Sequence, residues 1–172
     1  VALEPTTGGV LAFASNPSFD PNLFVNGISH ADYQALQHDL RKPQVNRALR
    51  GTYPPGSTIK PFAALGGLMT GQMRLDSSLH CPGFYTLPGE DHRFHCWKRR
   101  GHGGVQMKTA LAQSCDIYFY ELARRLGIDR LHEVLHPFGF GQRTGIDLTG
   151  EAAGILPNTD WKQRARNQPW YP

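Results

Sequence analysis

The stretch "TYPPGSTIKPFAALGGL", residues 52–68, sets a serine and a lysine three positions apart, behind a double proline and ahead of an apolar run. On a helix, positions i and i+3 share a face with Cβ atoms about 5–6 Å apart, so Ser57 and Lys60 can hydrogen-bond directly, within the reach of a nucleophile and its base. Serine is a weak nucleophile at neutral pH and needs an adjacent base. A lysine serves when desolvation and a positive helix N-terminus disfavour its charged form. Pro54-Pro55-Gly56 delivers the chain rigidly to such an N-terminus. Pro61 is tolerated there, because the amide it lacks is one of the first four that have no helical partner. The same residues also fit an ordinary helix start, with Ser57 as N-cap and Lys60 in solvent, and four residues alone do not choose between the two readings.

Working outward, residues 57–70 read as a buried helix, with Phe62, Leu65 and Met69 on one stripe and Ala63, Ala64, Gly66 and Gly67 permitting close neighbours. Residues 1–14 read as a β-hairpin turning at Pro5-Thr6-Thr7-Gly8-Gly9, and the two prolines of "SNPSFDPN" extend the turn region to residue 27. A short surface helix is expected over 30–40. Residues 75–106 form an irregular insert or small β subregion that carries Cys81, Cys96 and four histidines. Helical patterning returns over 107–113, 116–126 and 129–136, with Asp116 and Asp129 where N-caps belong. The remainder, 137–172, offers a short strand at Ile146–Leu148 and an amphipathic "TDWKQRAR" segment.

The 172 residues fit one domain or a large piece of one. With 40% hydrophobic and 19% charged residues, the composition is that of a globular chain. No apolar run approaches the ~20 residues of a membrane span, and residues 1–14 lack the pattern of a signal peptide, so any anchor is expected outside this chain. The net charge of +4 gathers in Lys98-Arg99-Arg100 and in Lys162, Arg164 and Arg166. These clusters lack aromatic interleaving and any groove-reading motif, and they read as solvated faces rather than a nucleic-acid surface. The abrupt start and end suggest a fragment.

"YPPGSTIKPF" resembles the active-site helix start of the penicillin-binding transpeptidases, whose three elements are S-x-x-K, S-x-N and K-T-G, shared in outline with serine β-lactamases. "LEPTTGGVLAFASNPSFDPNLFVNGIS", "VNRALRGTYPPGSTIKPF", "SCDIYFYELARRLGIDRL", "FGFGQRTGIDLTGE" and "DWKQR" each look like the corresponding segments, in the same order, of the penicillin-binding protein 2 family of the rod-elongation machinery. The resemblance implies an α/β (α+β) transpeptidase fold, a helical subdomain against an antiparallel sheet, incomplete here. It implies that Ser57 is the nucleophile, acylated by the stem-peptide D-Ala-D-Ala carbonyl or by a β-lactam. Lys60 would be its general base, Ser114 the serine that relays a proton, and the Ser57 N–H half of an oxyanion hole.

Two departures qualify it. The second element reads Ser-Cys-Asp, and an ionised Asp116 is acceptor-only, so it can steady Lys60 or Ser114 but cannot donate to substrate. No K-T-G is present: Lys108-Thr109-Ala110 and Arg143-Thr144-Gly145 are decoys, as is Ser18-Phe19-Asp20 for the second element, and the third element is expected beyond this chain. The resemblance further implies a periplasmic domain of an inner-membrane protein in a Gram-negative bacterium. Its partners would be stem peptides, β-lactams, a SEDS-type glycan polymerase and other elongation-complex proteins. The rivals are a β-lactam-hydrolysing or sensing relative, disfavoured by "FDPN" and "TGIDL", and a catalytically incomplete binding or scaffold module.

Three thiols and the imidazoles of His80, His92, His95 and His102 leave two bonded outcomes open, beside three thiols that bind nothing. One is a tetrahedral Cys3His zinc set; the other is a Cys81–Cys96 disulfide with a free third thiol, as suits an oxidising compartment. C-x14-C-x5-H-x12-C matches no standard finger. Some members of the resembled family bind zinc in this region, and their ligands align with Cys81, Cys96, His102 and Cys115, with His95 as a reserve. A metal held by Cys115 would tie the insert to the second catalytic element.

Overall fold

The computed structural model describes residues 1–171. The chain divides into two compact units: Val1–Tyr53 with Arg143–Ala153, and Pro54–Gln142 with the segment from Gly154. Among the described residues no helix is long and apolar enough to cross a membrane.

In the first unit, strands β1 (Ala2–Leu3) and β2 (Val10–Ala12) pair antiparallel. Glu4 closes the turn between them by accepting from the Thr7 N–H and hydroxyl at 2.7 and 2.8 Å. Helix α1 (His30–His38) starts at Ser29, whose hydroxyl accepts from the Asp32 N–H, and it buries no residue, as a surface helix should. A single turn, α2 (Arg47–Arg50), is capped by Asn46. The strand expected at Ile146–Leu148 does not form; the segment is irregular, with Thr144 N–H and Oγ1 both donating to Glu151 at 2.8 and 2.7 Å. Local side-chain bonds here compete successfully with a strand ladder.

The second unit is built on α3 (Lys60–Met69), which packs against α5 (Asp116–Leu126) and α6 (Ile128–Leu135). The buried face of α3 is not the expected stripe. Leu65 and Met69 are 39% and 70% exposed, whereas Lys60, Ala63, Ala64, Gly66 and Gly67 are buried. Small residues won that face because the neighbouring helices come so close: a Cβ on Gly67 would lie 2.7 Å from Leu122 Cδ1. Phe62 packs edge-on to Phe138 and Phe140. Tyr118, Phe119, Leu122 and Leu126 of α5 and Met107 and Ala110 of α4 (Met107–Ala112) complete the core.

The insert is a β subregion of two ribbons. Strand β3 (Ser78–Cys81) pairs antiparallel with β6 (Gly103–Gln106), and β4 (Phe84–Thr86) with β5 (Arg93–His95). Helix α7 (Thr159–Arg166) follows Asn158, which caps it by accepting from the Trp161 N–H. Helix α5 begins one residue earlier, and α6 two residues earlier, than an N-cap reading allows. Cys115 and Gly127 occupy the caps, and Asp116 and Asp129 lie inside the first turn. Their carboxylates are used elsewhere, Asp129 by the Thr159 N–H and hydroxyl.

Candidate active site

The second serine is set by how α4 ends. Gln113 is the last half-helical residue, and Ser114 adopts φ +50°, the left-handed region. Its N–H donates to the Leu111 carbonyl at 3.1 Å, and the Cys115 N–H donates to the Ala110 carbonyl at 2.8 Å. These two bonds make a Schellman closure, whose left-handed position is ordinarily glycine. A serine there costs about 1 kcal/mol, a strain of the kind found at functional residues.

The closure aims both oxygens of Ser114 at one cation. The Lys60 ammonium donates to the Ser114 carbonyl at 2.9 Å, to Ser114 Oγ at 3.0 Å and to Asp116 Oδ1 at 2.6 Å. Three donors meet three acceptors, which is why a lysine only 8% exposed is tolerated at the inner end of α3. Nζ also lies 5.5 Å from the centre of the Phe119 ring.

Ser57 lies in the 3-10 turn Gly56–Ile59 that precedes α3, and it is exposed. It caps neither helix: Pro55 and Ile59 hold those positions without side-chain bonds. Among the described residues no direct hydrogen bond joins Ser57 to Lys60, contrary to the i, i+3 expectation: the Lys60 ammonium is turned inward and spends its three donors on Ser114 and Asp116. The link runs through a third residue instead, with Ser114 Oγ 3.1 Å from Ser57 Oγ. Asp116, expected to steady Lys60 or Ser114, engages Lys60, while its other oxygen, Oδ2, accepts the Trp97 N–H at 3.0 Å.

Behind this turn, Cys81, Cys96, His102 and Cys115 bring their ligand atoms within 4.8 Å of one another. The three cysteines are free thiols, so the disulfide alternative is not formed. His102 Nδ1 stands 3.6 Å from both Cys81 Sγ and Cys96 Sγ. Zn–S bonds of about 2.3 Å and Zn–N bonds of about 2.0 Å span tetrahedral edges of about 3.5–3.8 Å, so the set fits a zinc ion. Burial, and next the charge of Lys98, hold the His102 imidazole below its ordinary value, toward the neutral form that ligates. Burial pushes the Cys115 thiol up to about 12, with the neighbouring Cys81 and Cys96 adding to the rise, so a metal must displace its proton. His102 Nε2 is buried without a partner. His95, the reserve ligand, lies exposed in β5 and outside the cluster. Gly101, at φ +77°, closes the loop where a Cβ would sit 2.1 Å from the Cys81 carbonyl oxygen.

Trp97 is the residue that sequence reasoning missed. It is 63% exposed and bonds to the turn, its indole Nε1–H donating to the Gln113 carbonyl at 2.9 Å. Its position directly after Cys96 was the available signal. The decoys are explained by their surroundings: Thr109 forms a capping box with Gln106, and Asp20 caps the 3-10 turn Pro21–Phe24. A groove of about 440 Å³ between Tyr85, Phe94, Tyr120, Leu131 and Trp170 contains none of the candidate catalytic groups, so volume does not mark the reactive centre.

Comparison with known proteins matches residues 1–168 to the family described as penicillin binding protein transpeptidase domain. The peptidoglycan D,D-transpeptidase MrdA of Acinetobacter baumannii is 50% identical over 170 residues, which is 99% of this chain and 25% of that protein. Among solved structures, Pseudomonas aeruginosa PBP2 in complex with WCK 5153 is 50% identical with a TM-score of 0.89, over 98% of this chain and 38% of that one. Helicobacter pylori PBP2, in a complex with MreC, is 36% identical with a TM-score of 0.85, over 92% and 29%. The chain thus spans about a quarter of the length of the curated relative it matches.

Proposed function

The chain belongs to the penicillin-binding protein transpeptidase family, and on that premise we propose that it carries the nucleophile and proton-relay half of a peptidoglycan D,D-transpeptidase. The observation that carries this reading is the unbroken run from Ser57 Oγ to Ser114 Oγ at 3.1 Å, on to Lys60 Nζ at 3.0 Å and to Asp116 Oδ1 at 2.6 Å. An S-x-x-K in an ordinary helix start has no reason to bury its lysine against a second serine.

In the forward step Ser57 Oγ attacks the penultimate D-Ala carbonyl of a stem peptide. The relay starts once the Lys60 ammonium has given one proton to solvent: the Ser57 proton then passes to the Ser114 hydroxyl, which hands its own to the Lys60 amine. The C–N bond breaks, the departing D-Ala amine takes a proton back along the same path, and an acyl-serine remains. An amine of a neighbouring stem peptide then attacks the ester, loses its proton to the relay and frees Ser57. The Ser57 N–H, in the first turn of a helical segment, is oriented as one oxyanion donor. A β-lactam carbonyl enters the same first step. Asp116 keeps Lys60 against Ser114 throughout.

Cys81, Cys96, His102 and Cys115 would hold a structural zinc, which when bound supplies a fixed cross-link and no reactive group. The neighbours solved as a complex of PBP2 with MreC and as a peptidoglycan synthase complex support placing the parent protein in an assembly with such partners; that this is the cell-elongation complex, with a SEDS-type polymerase, is what the family resemblance implies. The family resemblance likewise implies a periplasmic domain with its membrane anchor in another part of the protein. The test is covalent labelling of the full-length protein with a fluorescent penicillin. A stable adduct on Ser57, abolished in Ser57→Ala, is expected; an unlabelled wild type, or an adduct on another residue, sinks the reading and leaves the scaffold alternative.

A further inference from the structure

Trp97 makes two hydrogen bonds that bracket the second catalytic element. Its main-chain N–H donates to Asp116 Oδ2 at 3.0 Å, and its indole N–H donates to the Gln113 carbonyl at 2.9 Å. Gln113 and Asp116 are the two residues on either side of the Ser114-Cys115 turn. The Gln113 carbonyl belongs to a helix end, one of the orphan acceptors that a helix leaves unbonded, so the indole supplies the partner it lacks and fixes its plane. With 63% of Trp97 exposed, little apolar area is available to anchor it, and the two bonds define its position.

The consequence reaches Lys60. Asp116 has two oxygens, and the one not held by Trp97 accepts the ammonium. The peptide plane that begins at the Gln113 carbonyl sets the left-handed φ of Ser114, and with it the direction of the carbonyl and hydroxyl that accept from Lys60. On its other side, the Trp97 ring meets His102 edge to face at 5.3 Å, between Cys96 and His102 in the chain. One residue of the insert therefore touches the cluster and both ends of the catalytic turn.

We infer that Trp97 is a positioning residue for the reaction: its two N–H donors hold the Gln113–Asp116 turn so that Ser114 and Asp116 converge on Lys60. The inference rests on the transpeptidase reading, with Trp97 acting through the turn and not on substrate.

Two variants of the full-length protein test it. Trp97→Phe keeps a ring beside His102 and removes the indole donor. Replacing Trp97 by 3-benzothienylalanine keeps the whole shape and exchanges only N–H for sulfur. Two readouts are taken from each: amide hydrogen exchange at Ser114 and Cys115, and acylation by a fluorescent penicillin resolved into a dissociation constant and a first-order acylation constant. Losing one hydrogen bond at the turn should raise exchange at both amides about tenfold and lower the acylation constant about tenfold. The dissociation constant should stay within about twofold, and the melting temperature within about 2 °C. Native exchange protection in the benzothienylalanine protein overturns the inference, as does a native acylation constant. So does an effect confined to the dissociation constant, which would make the ring a substrate contact, or a melting temperature that falls in step with activity. Should wild type not acylate, the transpeptidase reading fails by itself, while the exchange arm still decides whether Trp97 holds the turn.

Discussion

Asp116→Asn is the sharpest perturbation, because it changes one atom at the centre of the network. The carboxylate serves two donors at once, Lys60 Nζ at 2.6 Å on Oδ1 and the Trp97 N–H at 3.0 Å on Oδ2. Asparagine offers one acceptor oxygen and an NH2 group, so whichever donor meets the NH2 is left unsatisfied. The gross attraction in the ion pair, at 2.6 Å and an effective dielectric constant of about 20, is roughly 6 kcal/mol. Most of that does not appear in stability. The ammonium keeps both Ser114 oxygens, the amide oxygen can still accept, and the side chains are 10% and 22% exposed, so desolvation has already offset much of the attraction. A net loss of about 2–3 kcal/mol remains, close to the value of one charge-assisted bond plus one stranded donor. For a domain of this size that lowers the melting temperature by about 4–12 °C. Thermal unfolding and the acylation rate are measured together on the same protein. A melting temperature within about 1 °C of wild type with native acylation would refute the argument that both carboxylate oxygens are required.

Ser114→Gly and Ser114→Ala should both slow acylation about 100-fold by breaking the relay, yet the glycine variant should be the more stable by about 1 kcal/mol, since only it relieves the left-handed strain; equal denaturation midpoints would contradict this. Gly67→Ala drives a methyl to 2.7 Å from Leu122 Cδ1 and should cost about 1–3 kcal/mol in urea unfolding. Glu121 accepts from the Tyr85 hydroxyl, Arg124 and Arg125, and its bonds to Arg124 lead in holding the carboxyl down at about 2 against an ordinary 4.5. A folded-state value below the unfolded one adds stability that is complete above pH 4.5 and is lost as pH falls toward 2, so Glu121→Gln should flatten the melting-temperature profile over that window and leave its shape above pH 5 unchanged. Cys115→Ser should lower bound zinc, melting temperature and acylation rate together; native acylation after the zinc is gone would show that the cluster does not support the turn.

The helices were legible where periodicity and punctuation agreed. Helix α5 has the bounds expected from "DIYFYELARRL", and α6 stops where Pro137 and its glycines demand. The buried face of α3 was not legible, because large apolar residues were assumed to mark it, whereas the approach of α5 and α6 left room only for alanine and glycine. Ser57, Lys60, Ser114 and Asp116 are brought together as expected, but their order of contact is not a property of sequence spacing. It depends on Lys60 turning inward onto Ser114 and Asp116 and on a left-handed residue after α4, and both are tertiary outcomes. Trp97 escaped notice for a similar reason, since its bonds reach 16 and 19 residues along the chain.

Why serine and aspartate flank a cysteine here follows from the two sides of one short turn. Ser114 and Asp116 point to Lys60, while Cys115, between them, is fully buried toward Cys81, Cys96 and His102. A glycine at 114 would make the Schellman closure easier and would remove the hydroxyl that joins Ser57 to Lys60. On the proposed relay the strain is retained for that hydroxyl, and it has to be offset by neighbours. Lys60 offsets it from one side with two bonds to Ser114, and Trp97 from the other through Gln113 and Asp116. The insert between α3 and α4 thus acts as a buttress, and Asp116 carries two oxygens because Lys60 and Trp97 each require one.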